Sequence, residues 1–225
     1  MRKWIRILLI VTGTMLILSA LFLCLYNINE SNKAYEQSQK VLSELKQLIP
    51  EPVPQEESEK ADNKKDEIIQ NPADDLFAAY EDKEEEIEKA QPMLINGGYY
   101  CGFITLPSLN LELPVADGWS YQALKNSPCR YSGSAEEDNI IIAAHNYNTH
   151  FGRIGTLNSG DEIVFTDTNG DVHRFEVNNT QYIDGYDKEG MFSGNEDEWD
   201  ITLFTCTLNG VSRVTVRGSR VENEE

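Results

Sequence analysis

Two side chains near the C-terminus, Cys206 and Arg213, have types and a spacing that suit nucleophilic chemistry. They lie in residues 200–217, DITLFTCTLNGVSRVTVR, where two runs of strand-forming residues flank Asn209-Gly210. An Asn-Gly pair favours a two-residue hairpin turn, because both residues tolerate positive φ. Such a turn places Cys206 opposite Arg213, with their Cβ atoms about 5 Å apart. A guanidinium beside a thiol favours the thiolate, which is the nucleophilic form.

The same hairpin contains a second arginine, Arg217. It shares a face with Arg213 but lies about 13 Å farther along the strand, at 3.3 Å per residue. Arg213 is therefore the better partner for Cys206. The alternative for Cys206 is a structural role, because a cysteine in a strand is usually a small buried hydrophobe.

The chain has three histidines, and one of them directly follows an apolar run. Residues 139–144, NIIIAA, are typical of a strand buried on both faces, and His145 comes next. Imidazole suits proton transfer because its pKa lies near physiological pH. His150, in a predicted loop, is the reserve candidate. His173, within DVHRFEV, is predicted to be a solvent-facing strand residue.

The chain that positions these side chains begins with a predicted membrane anchor. Residues 7–26 are almost all apolar, and such a run approaches the ~20 residues that span a bilayer. Arg2, Lys3 and Arg6 precede the run and should stay cytoplasmic, so the rest of the chain faces outward. A cleaved signal peptide is the alternative, but no A-x-A-like site follows the run. We therefore assign residues 1–26 to a basic start and a single-pass anchor.

Residues 27–92 resemble an acidic, largely disordered stalk in their composition. Pro50, Pro52 and Pro54 interrupt any helix, and residues 56–75 are rich in charge and poor in large apolar side chains. Two stretches with a narrow apolar stripe, 33–49 and 74–89, can form helices. A short coiled coil is an option for the first and docking on the folded domain for the second. Solvated helices are favoured for both.

Charge and composition limit the function of the remaining domain, residues 93–225. The 225-residue chain has a formal net charge of −19 and a pI near 4.5, which disfavours nucleic acid as a partner. The domain is long enough to bury a core. Predicted strands recur every ten residues or so with little helix between them, a pattern typical of a β-barrel or sandwich. They cover residues 99–106, 109–115, 139–144, 160–166, 172–177 and 180–186, with a short helix at 119–125.

Three motifs in this domain resemble the sortase family, the membrane-anchored cysteine transpeptidases of Gram-positive cell surfaces. They are GFITLPSLNLELPV at 102–115, IIAAHNYNTHFGRIGTL at 141–157, and TLFTC at 202–206 with an Arg before the final VTVRG strand. The resemblance spans residues 102–218, nearly the whole domain. It implies an all-β fold, a closed eight-stranded β-barrel with short helices and with the active site at one end.

The resemblance also implies a role for each site residue. Cys206 would attack the scissile carbonyl and form a thioester, His145 would transfer protons, and Arg213 would hold the oxyanion or the substrate backbone. We assign substrate contacts to residues that adjoin the two catalytic motifs, namely Ala144, Phe204 and Thr205.

The implied substrate is a protein with an LPxTG-like sorting signal, cleaved between Thr and Gly outside the cell. The implied acceptor is an amine of a cell-wall precursor or of a pilin. One alternative is an L,D-transpeptidase, but that family places its Arg two residues after the Cys, where this chain has Leu208. The other alternative is a non-catalytic surface protein that uses the barrel for binding.

No cofactor is expected, and no C-x-x-C zinc pattern is present in the sequence. The acidic loop 184–200 offers carboxylates for calcium, although its spacing matches no EF-hand and a solvated loop is favoured. Cys101 and Cys129 can form a disulfide outside the cell or remain two separate thiols. Cys129 also has the option of lining the substrate groove.

Overall fold

The computed structural model describes residues 2–50, 90–194 and 198–221. Two 3₁₀ helices, Pro107–Leu109 and Phe151–Thr156, complement the regular elements. The helices are α1 (Arg2–Leu48), α2 (Tyr121–Asn126) and α3 (Lys188–Phe192). The strands are β1 (Met93–Ile95), β2 (Gly98–Leu106), β3 (Leu111–Ala116), β4 (Cys129–Ser132), β5 (Ile140–Ala144), β6 (Glu162–Asp167), β7 (Val172–Asp184), β8 (Ile201–Cys206) and β9 (Ser212–Arg220).

Strands β2 to β9 form a closed barrel of eight strands. Their order is β2-β3-β4-β5-β8-β9-β7-β6, and β6 pairs back onto β2. The short strand β1 extends the sheet as a hairpin on β2. The pairs β3–β4 and β5–β8 are parallel, and the other neighbours are antiparallel. The predicted closed eight-stranded β-barrel is confirmed.

The barrel closes where β2 meets β6, and this seam requires a glycine. Gly102 lies at a bulge in β2 and pairs with Asp167 of β6. A Cβ atom at Gly102 would lie 2.2 Å from the backbone oxygen of Thr166. Glycine is the residue that allows such close approach of two backbones.

Apolar side chains from all sides fill the barrel, and the two 3₁₀ helices close one end of it. Phe151 and Ile154 from the second 3₁₀ helix are fully buried in the same cluster as the strand residues. Strands β5 and β8 both finish at this end, and we call it the catalytic end because the residues predicted for catalysis lie there. The strand members of the cluster include Ile104, Leu113, Ile140, Ile142, Ile163, Phe175, Leu203 and Val216.

The number and the bounds of the strands differ from the sequence prediction in two respects. Residues 172–184 form one long strand, β7, rather than two, because a bulge shifts its register on β9 between Val177 and Asn179. An extra residue at a bulge breaks the period-two pattern on which the prediction depends. Strands β1 and β4 were not predicted, since three and four residues carry too little pattern.

The second half of α1 packs on the outside of the barrel, which corrects the expectation of a solvated helix over residues 33–49. Leu45 is fully buried in a cluster that also contains Val41, Ile49, Ile95 and Tyr100. Polar contacts reinforce this packing at Glu112 of β3. Gln39 Nε2 donates to the backbone oxygen of Glu112 over 2.9 Å, and Lys46 Nζ lies 2.6 Å from Oε1 of Glu112.

The first half of α1 is exposed along its length, from Trp4 to Ile28. Among the described residues, α1 is the one helix long and apolar enough to cross a membrane. Residues 51–89 lie outside the described part of the chain, and with them the second predicted helix and the charge-rich segment. The division at residues 26 and 92 therefore stays a prediction.

The docking of α1 can be tested with two leucines three residues apart. Leu45→Ala should weaken docking by about 2–5 kcal/mol, because a fully buried leucine is truncated. Hydrogen exchange of the α1 amides around residue 45, measured in detergent, should become faster. Leu48, 59% exposed, is the matched control, and Leu48→Ala should leave exchange nearly unchanged. Equal exchange in the two variants would contradict the docking.

Candidate active site

Cys206 and Arg213 form a cross-strand pair at the end of the β8–β9 ladder, as the sequence predicted. The Cys206 side chain is exposed and that of Arg213 is half-buried. The Arg213 guanidinium donates through Nη1 to the backbone oxygens of Gly210 and Ser212, each over 3.2 Å. In the described part of the chain no carboxylate pairs with Arg213. Its positive charge is therefore left beside the thiol.

The hairpin turn itself differs from the predicted two-residue turn. Gly210 N donates to Thr207 O over 2.9 Å, so the turn is centred on Leu208 and Asn209. In the predicted central pair Asn209-Gly210, only Gly210 has a positive φ, 73°, whereas the predicted turn requires a positive φ at Asn209 too. The predicted register nevertheless holds, because Thr207 N donates to the backbone oxygen of Ser212 over 2.9 Å.

His145 reaches the same level through the parallel pairing of β5 and β8. The last pair of that ladder is Ala144 with Thr205, and Thr205 Oγ1 donates to Ala144 O over 2.8 Å. The next residues along the two strands are His145 and Cys206. The structure thus places His145, Cys206 and Arg213 in one row across three neighbouring chain segments.

The loop after β5 fixes the position of His145. Its backbone oxygen accepts from Phe151 N over 3.2 Å, and Phe151 is fully buried in the barrel. The ring of Tyr147 lies beside the imidazole, with 5.2 Å between the ring centroids. The histidine therefore depends on the barrel core for its placement.

Burial lowers the pKa of His145, and the positive charge of Lys125 lowers that pKa further. The neutral imidazole, which can accept a proton, is thus the main form at neutral pH. Among the described residues, no hydrogen bond joins the Cys206 thiol to His145 or Arg213. Catalytic hydrogen bonds are often incomplete until substrate is bound.

Aromatic side chains form a cluster on the Cys206 face of β8 that sequence reasoning found only in part. Phe204, two residues before Cys206 and on the same face, packs edge-on against Tyr131 of β4 at 5.4 Å between centroids. Tyr131 also contacts Phe192 of α3, at 5.9 Å, and Trp119, at 6.5 Å. These rings come from four separate segments of the chain, and no spacing in the sequence links them. We call Phe204, Tyr131, Phe192 and Trp119 the aromatic cluster.

Ala144 and Thr205, the other two predicted substrate contacts, have buried side chains next to this row. Thr205 alternates with Cys206 along β8 and therefore faces the opposite side of the sheet. On that side lies a cleft of about 660 Å³. It is lined by neither Cys206, His145 nor Arg213. Ala144 and Thr205 instead form the hydrogen bond from Thr205 Oγ1 to Ala144 O, which links β5 to β8.

The two other histidines have structural positions. His150 is fully buried, and burial lowers its pKa to about 4, so it stays neutral and out of reach of a substrate. The prediction that His173 faces solvent is wrong. Its Nε2 lies 3.0 Å from Asp167 Oδ2, and its Nδ1 lies 3.3 Å from Arg220 Nη1. His173 shares the buried face of β7 with Phe175.

Arg217 is 1% exposed and anchors the segment that carries α3. Its Nη2 donates to Gly190 O over 2.6 Å, and its Nη1 donates to Ser193 O. The guanidinium also lies over the ring of Trp199, 5.7 Å from its centroid. Arg217 pairs with Thr202 in the β8–β9 ladder, four residues from the row of His145, Cys206 and Arg213, as expected.

The remaining thiols and the acidic loop contribute no chemistry in the described structure. Cys101 and Cys129 are free and buried, and burial raises their pKa values to about 12 and about 11. They lie in separate apolar clusters, so they do not pair, and the fully buried Cys129 does not line a substrate groove. Within residues 2–50, 90–194 and 198–221, no group of three His, Cys, Asp or Glu residues is arranged to hold a metal ion. Residues 195–197 of the acidic loop lie outside this part, so the expectation of a solvated loop without calcium stays a prediction.

Comparisons with known proteins agree on one family. A family model described as "Sortase domain" matches residues 104–221. Sortase D of Bacillus subtilis (strain 168) is 27% identical over 131 residues, which cover 55% of this chain and 65% of that protein. The match thus spans slightly less than two thirds of this relative.

Solved structures show the same similarity. Sortase C1 from Streptococcus agalactiae matches with a TM-score of 0.51 and 25% identity, covering 60% of this chain and 74% of that one. A Clostridium perfringens sortase D5 transpeptidase matches with a TM-score of 0.50 and 24% identity, covering 58% and 83%. At its level of identity, this second likeness is one of fold alone.

Arg213 and Arg217, two of the three arginines of β9, should separate stability from activity. Arg217→Lys should destabilise the barrel by roughly 2–4 kcal/mol, because lysine cannot donate to both carbonyls through a planar fork. Arg213→Lys is the matched control and should leave the melting temperature nearly unchanged, since its two hydrogen bonds are partly exposed. Thermal melts of both variants test this. A lower melting temperature for Arg213→Lys than for Arg217→Lys would contradict these positions.

Proposed function

The chain belongs to the sortase family, and we propose that it is a membrane-anchored cysteine transpeptidase with Cys206 as its nucleophile. The observation that carries the proposal is the row of His145, Cys206 and Arg213. A thiol, a neutral imidazole and a guanidinium with no carboxylate partner among the described residues lie at one level, and they supply a nucleophile, a proton carrier and an anion stabiliser.

In the proposed first half-reaction, His145 accepts the Cys206 proton, and the thiolate attacks the scissile carbonyl carbon. Arg213 stabilises the negative oxygen of the tetrahedral intermediate. The C–N bond then breaks as the protonated His145 donates its proton to the leaving amine, which leaves a thioester on Cys206. The lowered pKa of His145 makes its protonated form a ready proton donor for this step.

In the second half-reaction, an acceptor amine attacks the thioester carbonyl. The amine gives up a proton to His145, the C–S bond breaks, and Cys206 regains a proton from His145. Water in place of the amine would give hydrolysis. The exposed position of Cys206 gives both acceptors access to the thioester.

The proposed substrate is a surface protein with an LPxTG-like sorting signal, cut between Thr and Gly. The aromatic cluster supports this substrate, because aromatic rings near the thiol suit the apolar Leu and Pro of such a signal. The proposed acceptor is an amine of a cell-wall precursor or a pilin lysine. The proposed location is the outer side of the cell membrane, with residues 7–26 as a single-pass anchor and the basic start inside.

Substitutions in the catalytic row test the activity. With a panel of LPxTG-like peptides and an amine acceptor, mass spectrometry should detect a transpeptidation product and an acyl-enzyme adduct on Cys206. Cys206→Ala should abolish both, since no other described side chain at this level can form the thioester. His145→Ala should lower kcat/KM by several orders of magnitude through loss of proton transfer. Arg213→Lys should be severely impaired, because the planar fork is lost.

Cys24→Ala is the control for the thiol, because Cys24 is exposed but lies within the predicted anchor. It should retain full activity. Peptide binding without any cleavage would favour a binding module instead. Turnover of wall peptides alone would favour an L,D-transpeptidase, although Leu208, where that family has its Arg, is 96% exposed at the hairpin tip.

The acid limb of the pH profile should report His145. Since its pKa is lowered, kcat/KM should fall only below pH 6.5, the ordinary value for histidine. Lys125→Ala removes a positive charge that opposes protonation, so the pKa of His145 should rise and the acid limb should move to higher pH. Lys188→Ala, another exposed lysine, is the control and should leave the limb in place. An unchanged limb in Lys125→Ala would contradict the assignment of this limb to His145.

A further inference from the structure

The path of α1 along the barrel gives the two barrel ends different distances from the membrane. Near the catalytic end, Ser31 Oγ lies 3.0 Å from Thr149 Oγ1, in the loop that follows His145. At the other end, Pro50 O packs against Gly170 in the β6–β7 turn, where an added Cβ would lie 2.8 Å away. At 1.5 Å per residue these two contacts are about 28 Å apart along the helix axis. The chain leaving the anchor therefore meets the catalytic end first.

The predicted anchor and the Ser31 contact belong to one continuous helix, Arg2–Leu48. Ser31 lies five residues beyond Tyr26, the end of the apolar run, and thus about 8 Å farther along the axis. The headgroup layer on each side of a bilayer is about 5–8 Å thick. With residues 7–26 in the bilayer, this rise places the catalytic end at the level of the headgroups.

Apolar and aromatic side chains project from this same end. Leu208 at the hairpin tip is 96% exposed, and Val211 beside it is 54% exposed. Tyr182 and Tyr186, at and after the end of β7, are 70% and 92% exposed. Tyrosine and apolar tips are typical of the water–membrane interface. By contrast, the turn at the far end, residues 167–171, has the polar sequence DTNGD.

We propose that the barrel rests on the membrane with its catalytic end against the bilayer, and that this end inserts the tip Leu208–Val211 and the two tyrosines among the lipid headgroups. The partner is the lipid surface itself. With a net charge of −19 the chain gains nothing from anionic lipid, so the contact depends on α1 and on apolar side chains. Cys206 then acts on polypeptide at the point where it emerges from the membrane.

This inference depends on the anchor in the proposed function but not on catalysis, so the two fail separately. The test uses the full chain in phosphatidylcholine vesicles with a fluorescent acceptor on a fraction of the headgroups. Cys24→Ser and Cys206→Ala remove the two exposed thiols, while Cys101 and Cys129 are buried. Leu208→Cys or Asp171→Cys then introduces one site for a membrane-impermeant donor dye, which labels only outward-facing barrels.

Energy transfer should be strong from position 208 and weak from position 171. Equal transfer from the two positions, or stronger transfer from 171, would overturn the orientation. Loss of the chain from vesicles in an alkaline carbonate wash would instead overturn the anchor, and with it this inference.

A helical insertion supplies a second measurement. Seven residues added between Tyr26 and Asn27 should lift the barrel by about 10 Å and rotate it only by about 20°. Transfer from position 208 should fall. The same insertion between residues 70 and 71 follows the docked helix and should leave transfer unchanged. Unchanged transfer after the first insertion would also overturn the proposal.

Discussion

The parallel pairing of β5 with β8 is the constraint on which the candidate site depends. It is the pairing that sets Ala144 beside Thr205, and the residues after that pair are His145 and Cys206. Side chains alternate between the two faces of a strand, so a shift of one residue would turn Cys206 away from its partners. The hydrogen bond from Thr205 Oγ1 to Ala144 O lies one residue before the reacting groups and holds this register. The β8–β9 hairpin then adds Arg213 on the other side of the thiol.

Local reasoning found the part of the site that is local in sequence. Cys206 and Arg213 are seven residues apart, and the hairpin register followed from strand propensity and from turn residues, even though the turn has a different form. His145 and Cys206 are 61 positions apart, and only the long-range parallel pairing of β5 with β8 brings them together. The association of His145 with Cys206 came from motif resemblance, because no short-range rule connects β5 to β8. The aromatic cluster beyond Phe204 was missed for the same reason.

The remaining errors arise where a polar residue or a helix has a partner that its own sequence does not reveal. His173 lies on the same buried face of β7 as Phe175, and its side-chain contact with Asp167, 3.0 Å from Nε2 to Oδ2, compensates its burial. The apolar stripe on α1 looks too narrow to form a core by itself. Apolar side chains on the outer face of β2 and β3 and on α2 complete the buried cluster. Arg217 resembles Arg213 in type and position, yet its hydrogen bonds stabilise the α3 segment.

The distribution of the four cysteines affects how the proposed enzyme meets oxidants. Cys24 belongs to the predicted span, and the barrel encloses Cys101 and Cys129 in different clusters, so Cys206 is the one thiol of the domain open to solvent. In the folded barrel no two of these thiols are placed to form a disulfide, so oxidation cannot join Cys206 to another cysteine of the domain. Oxidation of Cys206 to a sulfenic acid or to a mixed disulfide with a small thiol is reversed by a reductant, whereas further oxidation to a sulfinic acid is not. The proposed nucleophile is thereby exposed to oxidative damage from outside but protected from capture by its own chain.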